Sequence, residues 1–501
     1  MGLRTLDEYV KSLQDDRVVY ILGEKVEDVT TDPMLKVGVE TAGIDYQMGE
    51  MDDFRDLATV TTDSGEAISR YYYLPKDSED LLKRHELMVT ATRLGGGVIP
   101  FTKDVGSDAM NAVNIVANIM GKNEYLERAE EYRRHLQRND LSVACAMTDV
   151  KGDRSKHPSS PEQAHPDYYV RVVDRDDKGI VVRGAKIHIT AAPYCNELLV
   201  LPCRNLSAAD ADYAVSFAVE ADAKGVIQIC HPMSKGLGPL EFPVDMPYRM
   251  HTDSLIIFDD VFVPWERVFL CGEYDAALHL VYNFAYIHRH TAASYRIPMS
   301  EAMLGMAYAI AKYNGVLRYA HVRKKLVDIM IYVDTLKSMA NASCINSVEH
   351  GGIPIPNPKL SNIAKYHFAN NYHNCVKALQ DITGGVVVTG PTYKDYMNPE
   401  EKPYIDKYLG GKADVSTENR LRMLQLIRRV FASDLGGYAE VLALHAEGSL
   451  AAQELMVFGE SLAEAEEYQK MAEMAAGIQI DSPPTLPEYA KIFKAFQEFR
   501  G

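Results

Sequence analysis

Hydrophobic and polar positions change texture twice along the chain. Up to about residue 140 the pattern predicts helices. "TLDEYVKSLQD" opens on Thr5 with Glu8 three residues on, a capping-box start, and "SEDLLKRHELMVTATRLGG" begins similarly at Ser78 and stops at glycines. "SDAMNAVNIVANIMGKNEYLERAEEYRRHLQRNDLS" predicts a long helical stretch broken near Gly121. After about residue 141, β-branched and aromatic runs take over. "DYYVRVVDRDDKGIVVRGAKIHIT" reads as a hairpin around "DRDDKG", and "ELLVLPCR", "DYAVSFAVEA", "GVIQICHP" and "SLIIFDDVFVPWERVFL" continue as short strands.

From Asp275 the period returns to about 3.6 residues, over roughly 276–315, 317–349, 359–383, 417–447 and 449–476. Glycines and prolines in "EHGGIPIPNPKL" break the second window from the third, and a long irregular link precedes the fourth. The pattern predicts an α+β chain, mostly α. A helical domain spans 1–140, a central β barrel or sandwich 141–275, and a long-helix bundle with a C-terminal extension 276–501.

Composition adds bounds to this outline. A chain of 501 residues, 47% hydrophobic and 25% charged, is an ordinary globular length for two or three domains. Its net charge of −17 argues against a nucleic-acid partner or an anionic membrane surface. The start "MGLRTLDEYVKSLQDD" lacks an apolar signal core, and no run approaches the length of a membrane span, which reads as a cytoplasmic protein. Seven scattered cysteines without a C-x-x-C pair are neither a disulfide framework nor a metal motif.

Motifs for dinucleotide, nucleoside triphosphate, zinc-protease and serine-hydrolase chemistry are missing. What remains is subtler. "AMTDVKGDRS" (146–155) is rich in hydroxyl and turn groups, and His188 and Thr190 in "GAKIHIT" alternate onto one strand face. Asp253 precedes an apolar strand. In "YIHRHTAASYR" (286–296), His288 and Tyr295 lie about 20° apart around a helix and roughly 10 Å apart along it, so they share a face without touching. His290 sits some 200° from His288, which disfavours a metal pair. By spacing alone, each of these also reads as a linker charge, a solvated strand face or a satisfied core group.

Taken together, "AMTDVKGDR", "GAKIHIT", "IIFDDVFVPWERVFLCGEYD" and "HRHTAASY" resemble the 4-hydroxybutyryl-CoA dehydratase / vinylacetyl-CoA Δ-isomerase proteins, which are grouped with 4-hydroxyphenylacetate 3-hydroxylases. The likeness runs from "VVYILGEKVED" through "DITGGVVVTGP" to "HAEGS". It implies an acyl-CoA-dehydrogenase-like fold, FAD held between the β domain and the bundle, and a homotetramer. Flavin contacts map onto Met147, Thr148, Lys151 and Asp153, and onto His188 and Thr190, with Gly384 and Gly385 approaching from a neighbouring subunit.

Departures from the dehydratase pattern bear on the reaction. His288 stands at the histidine that ligates an iron–sulfur cluster in that family, while Pro100, Asp104 and Tyr295 stand at its three cysteines. Proline cannot ligate, and Asp and Tyr are not the soft thiolates a cluster takes, so none is expected. The family's tyrosine after the histidine is Ala292, and its lysine is Arg296. A C-terminal carboxylate maps near Glu440 or Val441, and the carboxylate before the strand is kept as Asp253. Phenol-binding residues of the hydroxylase branch fall at Val105 and Ala109.

Three functions follow from the resemblance. The first is double-bond isomerisation on a small acyl-CoA, with His288 as base, Asp253 orienting it or shuttling protons, and Tyr295 and Arg296 facing substrate or flavin. The second is a two-component flavin monooxygenase acting on a phenolic acid with a separate flavin reductase. The third is a non-catalytic flavin-binding scaffold.

Overall fold

The computed structural model describes residues 2–231, 241–243, 251–480 and 482–500. Thr5 and Glu8 form the expected capping box. Asp77, rather than Ser78, caps the helix Ser78–Leu94, because its carboxylate accepts the N–H groups of both Glu79 and Asp80. The next long stretch divides at Gly121 into Asp104–Met120 and Asn123–Asn139, with Gly121 left-handed at φ 63°.

Two sheets form the central layer. Six strands run in the order Glu24–Lys25, Val18–Ile21, Val226–Cys230, Asp253–Pro264, Gly179–Thr190, Arg171–Arg175. Four run Val268–Cys271, Val215–Glu220, Glu197–Val200, Val143–Ala146. Their inner faces share one core that includes Val182, Ile256, Phe258, Leu198 and Phe217. Val18–Ile21 pairs in parallel with Val226–Cys230, so the mostly helical N-terminal stretch lends two strands to this layer. Local patterning carries no trace of a pairing partner some 200 residues away.

Along Gly179–Thr190 burial alternates until a bulge. The register slips opposite Ser254–Ile256, and His188 takes φ 60°. Lys186 is therefore buried, whereas His188, two residues on, is exposed.

The bundle is built on Tyr274–Tyr313, a 40-residue helix packed against Ser78–Leu94, Asp104–Met120, Ala320–Ile345 and Pro358–Thr383. The window 417–447 is two helices, Thr417–Phe431 and Asp434–His445. The hydroxyl of Ser433 accepts from the Leu435 N–H and starts a new helix, a local cap that apolar periodicity does not register. Leu450–Ala475 follows. The observed order of helices, sheets and bundle is the acyl-CoA-dehydrogenase-like arrangement expected, mostly helical with a central β layer. Among the described residues, no helix is long and apolar enough to cross a membrane.

Candidate active site on the central helix

Because the Tyr274–Tyr313 helix is surrounded, its polar residues must find partners on every side. Three faces do so differently. Toward Asp104–Met120, His288 Nδ1 lies 3.0 Å from Asp108 Oδ2, and Phe284 stacks on the imidazole at 4.8 Å between centroids. Arg84 holds the other carboxylate oxygen, Nη2 to Oδ1 at 2.7 Å. Toward Ser78–Leu94 and Ala320–Ile345, Ser294 Oγ meets His85 Nδ1 at 2.7 Å, and His290 Nε2 meets Cys344 Sγ at 3.1 Å. Burial holds the His85 imidazole down at about 4 and also depresses His290 well below its ordinary value, so both are neutral packing residues.

The third face turns to the loop between Asp434–His445 and Leu450–Ala475. There Glu447, a non-glycine residue at φ 57°, accepts a hydrogen bond from the Tyr295 hydroxyl and two from Arg296 Nη2 at 2.9 Å each. Lys365 Nζ lies 3.4 Å from the same carboxylate, and Arg289 Nε donates to the Glu447 carbonyl at 3.0 Å. Burial alone would raise the Glu447 carboxyl, but Arg296, then Lys365 and His288, bring it down to about 2. Burial lowers Lys365 to about 8, helped by Arg296 and opposed by Glu447. Three cations, Arg289, Arg296 and Lys365, thus surround one carboxylate and leave a positive field.

Sequence mapping of the C-terminal carboxylate pointed to Glu440 or Val441. The carboxylate that reaches the central helix is instead Glu447, and Val441 is 59% exposed. The Glu-Gly pair in "HAEGS" is the signal for it: consecutive left-handed residues, with Gly448 at φ 96°, mark a tight turn. Asp108 had no signal of its own, since an aspartate within a buried helix acquires meaning only from the helix beside it.

Asp253 stands apart from His288's hydrogen bonds. It accepts from Thr190 Oγ1 and from the Tyr438 hydroxyl, both at 2.6 Å, so the group that orients His288 is Asp108 and not the expected Asp253. Tyr438 comes from Asp434–His445, which brings the bundle onto this edge of the six-stranded sheet. Burial and then the Asp253 charge push the Tyr438 phenol up, keeping it a hydrogen-bond donor.

The other predicted contacts gather on the same edge. The segment after Val143–Ala146 runs beside the bulged strand: Thr148 O accepts from Ile187 N at 2.8 Å, Asp149 bridges Lys186, and Met147 O accepts from Lys186 Nζ at 2.9 Å. Lys151 turns the chain at φ 78°. Asp153 is spent locally, accepting from Ser155 N and Oγ on an exposed loop. A thioether, two hydroxyls and an exposed imidazole (Met147, Thr148, Thr190, His188) offer the mixed apolar and hydrogen-bonding edge that a planar heteroaromatic ring needs. Gly384 and Gly385 end the Pro358–Thr383 helix, and nothing lies within 4 Å of where a Cβ would stand on either.

An iron–sulfur cluster does not fit around His288 and Tyr295. Their hydrogen-bond partners are the hard carboxylates Asp108 and Glu447, already committed to Arg84, Arg296 and Lys365. Pro100 offers no donor, and Asp104 is buried beneath the site with both carboxyl oxygens lacking a hydrogen-bond partner.

A histidine–carboxylate pair at the central helix, in a helical and sheet arrangement whose bundle meets the six-stranded sheet at Tyr438 and Asp253, fits an enzyme scaffold of the acyl-CoA-dehydrogenase-like class. More narrowly, the chain belongs to the 4-hydroxyphenylacetate 3-hydroxylase family, whose N-terminal profile matches residues 5–270 and whose C-terminal profile matches 277–477. It is 31% identical over 500 residues, 95% of this chain and 100% of the relative, to a 4-hydroxybutyryl-CoA dehydratase/vinylacetyl-CoA Δ-isomerase of Clostridium aminobutyricum. It is 28% identical over 87% of its length to a 4-hydroxyphenylacetate 3-monooxygenase oxygenase component of Thermus thermophilus, covering 90% of that protein. Solved structures divide the same way. An oxygen-tolerant archaeal 4-hydroxybutyryl-CoA dehydratase from N. maritimus superimposes with a TM-score of 0.87 at 30% identity, covering 98% of both chains. The oxygenase component of 4-hydroxyphenylacetate 3-monooxygenase complexed with FAD and 4-hydroxyphenylacetate gives 0.85 at 26%, covering 95% of this chain and 99% of that one.

Proposed function

We propose that this protein is an FAD-dependent enzyme that moves a double bond in a small acyl-CoA by proton transfer. The observation that carries the reading is His288: its Nδ1 is held by Asp108, and its Nε2 has no hydrogen-bond partner among the described residues. Such an imidazole is a positioned general base. In the conversion of vinylacetyl-CoA to crotonyl-CoA, Nε2 removes a proton from the carbon α to the thioester and returns it at the γ-carbon, with no net redox change. The excess positive charge of Arg289, Arg296 and Lys365 favours the intervening enolate.

FAD would sit between the sheet edge (Met147, Thr148, Lys151, Asp153, His188 and Thr190) and the bundle, with Gly384 and Gly385 supplied by a neighbouring subunit of a homotetramer. When bound it supplies a planar apolar platform for the acyl chain. Tyr295 and Arg296 do not contact substrate freely in this reading; Glu447 clamps them as part of the wall. Asp253 and Tyr438 line the sheet side, where the Tyr438 hydroxyl donates to the Asp253 carboxylate. Seven free thiols fit a reducing, cytoplasmic setting.

Purified protein is expected to be yellow without a broad iron–sulfur shoulder, and to interconvert vinylacetyl-CoA and crotonyl-CoA. A flavin-loaded protein with no turnover of either defeats this substrate assignment. A second reading is favoured by the FAD- and 4-hydroxyphenylacetate-bound neighbour: a two-component monooxygenase in which His288 takes the phenol proton. NADH-dependent catechol formation with an added flavin reductase would establish it. Protein that takes up flavin but turns over neither an acyl-CoA nor a phenol would leave the scaffold role.

A further inference from the structure

We propose that Asp108 and Arg84 are the positioning pair of this site, dictating which nitrogen of His288 carries the proton. The inference rests on His288 being the proton acceptor. Each Asp108 oxygen has one partner: Oδ2 meets His288 Nδ1 at 3.0 Å and Oδ1 meets Arg84 Nη2 at 2.7 Å, with the Asp108 side chain fully buried. An ionised carboxylate only accepts, so Nδ1 must be the donor and the neutral ring presents its lone pair at Nε2.

Arg84 cannot swing away from this duty. Its guanidinium also donates to Ser107 Oγ at 2.8 Å, to the Tyr71 carbonyl at 3.1 Å and to the Asp104 carbonyl at 3.2 Å. Phe284, nearly parallel to the imidazole at 21°, fixes the ring plane. The other charged groups nearby do not compete for Nδ1. Burial raises the Asp104 carboxyl well above its ordinary value, and neither of its oxygens has a hydrogen-bond partner. Burial also pushes Asp45 up to about 6, while Glu447 is bound to Arg296 and Lys365 on another face. Once Nε2 takes a proton, the imidazolium keeps its bond to Asp108 and gains a counter-charge with no movement of either group.

The expected tautomer can be read in the wild-type enzyme. A neutron map of crystals at pH 9 should show deuterium on Nδ1 and a bare Nε2. The reverse arrangement overturns the proposal whatever the enzyme's activity. In Asp108→Asn the side-chain amide can donate to Nδ1 and invert the tautomer, so kcat with vinylacetyl-CoA should fall by about 10²–10⁴-fold with KM moving far less. Asp108→Glu should recover part of that loss, and near-UV circular dichroism checks that each variant is folded. A folded Asp108→Asn enzyme with wild-type kcat defeats the pair. If the wild type turns over neither acyl-CoA, the neutron map still decides the tautomer, and a correct tautomer in an inactive protein counts against the substrate assignment alone.

Discussion

Glu447 shows how much of this site depends on one side chain. Its buried carboxylate, 4% exposed, joins Tyr295, Arg296 and Lys365, residues from two helices. Glu447→Gln keeps the shape but leaves Arg296 and Lys365 facing each other without a counter-charge. Loss of one partner from a buried ion pair costs about 3–5 kcal/mol, which urea unfolding should report. Holding the carboxyl near 2 against an ordinary 4.5 contributes on the order of 3 kcal/mol. Because the folded value is depressed, that contribution is complete above pH 4.5 and disappears as the pH falls toward 2. Stability of Glu447→Gln should therefore be flatter than wild type across that window; parallel curves would contradict the role. Family likeness pointed to His288, Tyr295 and Arg296 as candidate site residues, while helical spacing alone only placed His288 and Tyr295 on one face and left them equally readable as core groups. The sequence could not identify Asp108 or Glu447 as their partners, because a hydrogen bond between residues some 150 to 180 positions apart exists only after packing.

At the scale of elements, the Asp104–Met120 helix beside the central helix is positioned by a close backbone approach as well as by side chains. Gly106 lies in the turn before Asp108, where a Cβ would stand 2.3 Å from Val143 O and 2.6 Å from Val143 Cβ. Gly106→Ala must push the Asp104–Met120 helix off the Val143–Ala146 strand, and overpacking of this kind costs about 1–3 kcal/mol. The expected result is a lower melting temperature together with weaker catalysis, since the displaced helix carries Asp108. An unchanged melting temperature would show that the helix and strand can separate freely. Most elements were legible from periodicity and caps: the helix pair divided at Gly121, the hairpin at "DRDDKG", and the long bundle helices. The exceptions have local or long-range causes. Ser433 restarts a helix by a single cap, His188 reverses the strand alternation at a bulge, and Val18–Ile21 becomes a strand only by pairing with Val226–Cys230.

For the whole molecule, buried neutral histidines predict acid lability. His85 and His251 titrate near 4 because burial disfavours their charged forms, and burial lowers His290 in the same way. Each is depressed below the ordinary 6.5, so its contribution is complete above pH 6.5 and lost as the pH falls; for His85 and His251 that loss runs toward pH 4 and is on the order of 3 kcal/mol apiece. Against a typical total of about 5–15 kcal/mol, His85 and His251 together, with His290 acting in the same direction, should unfold the protein in that interval. Far-UV circular dichroism against pH tests this; a fold intact at pH 4 would show that these imidazoles reach solvent. The sequence alone determined the order of helices, sheets and bundle, the family and the helix that carries the candidate site, because periodicity, caps and motif chemistry are written locally. Tertiary structure decided which carboxylate serves which cation and which nitrogen of His288 is held by Asp108. Those depend on groups from separate elements meeting in a low-dielectric interior, where every charge must find a partner.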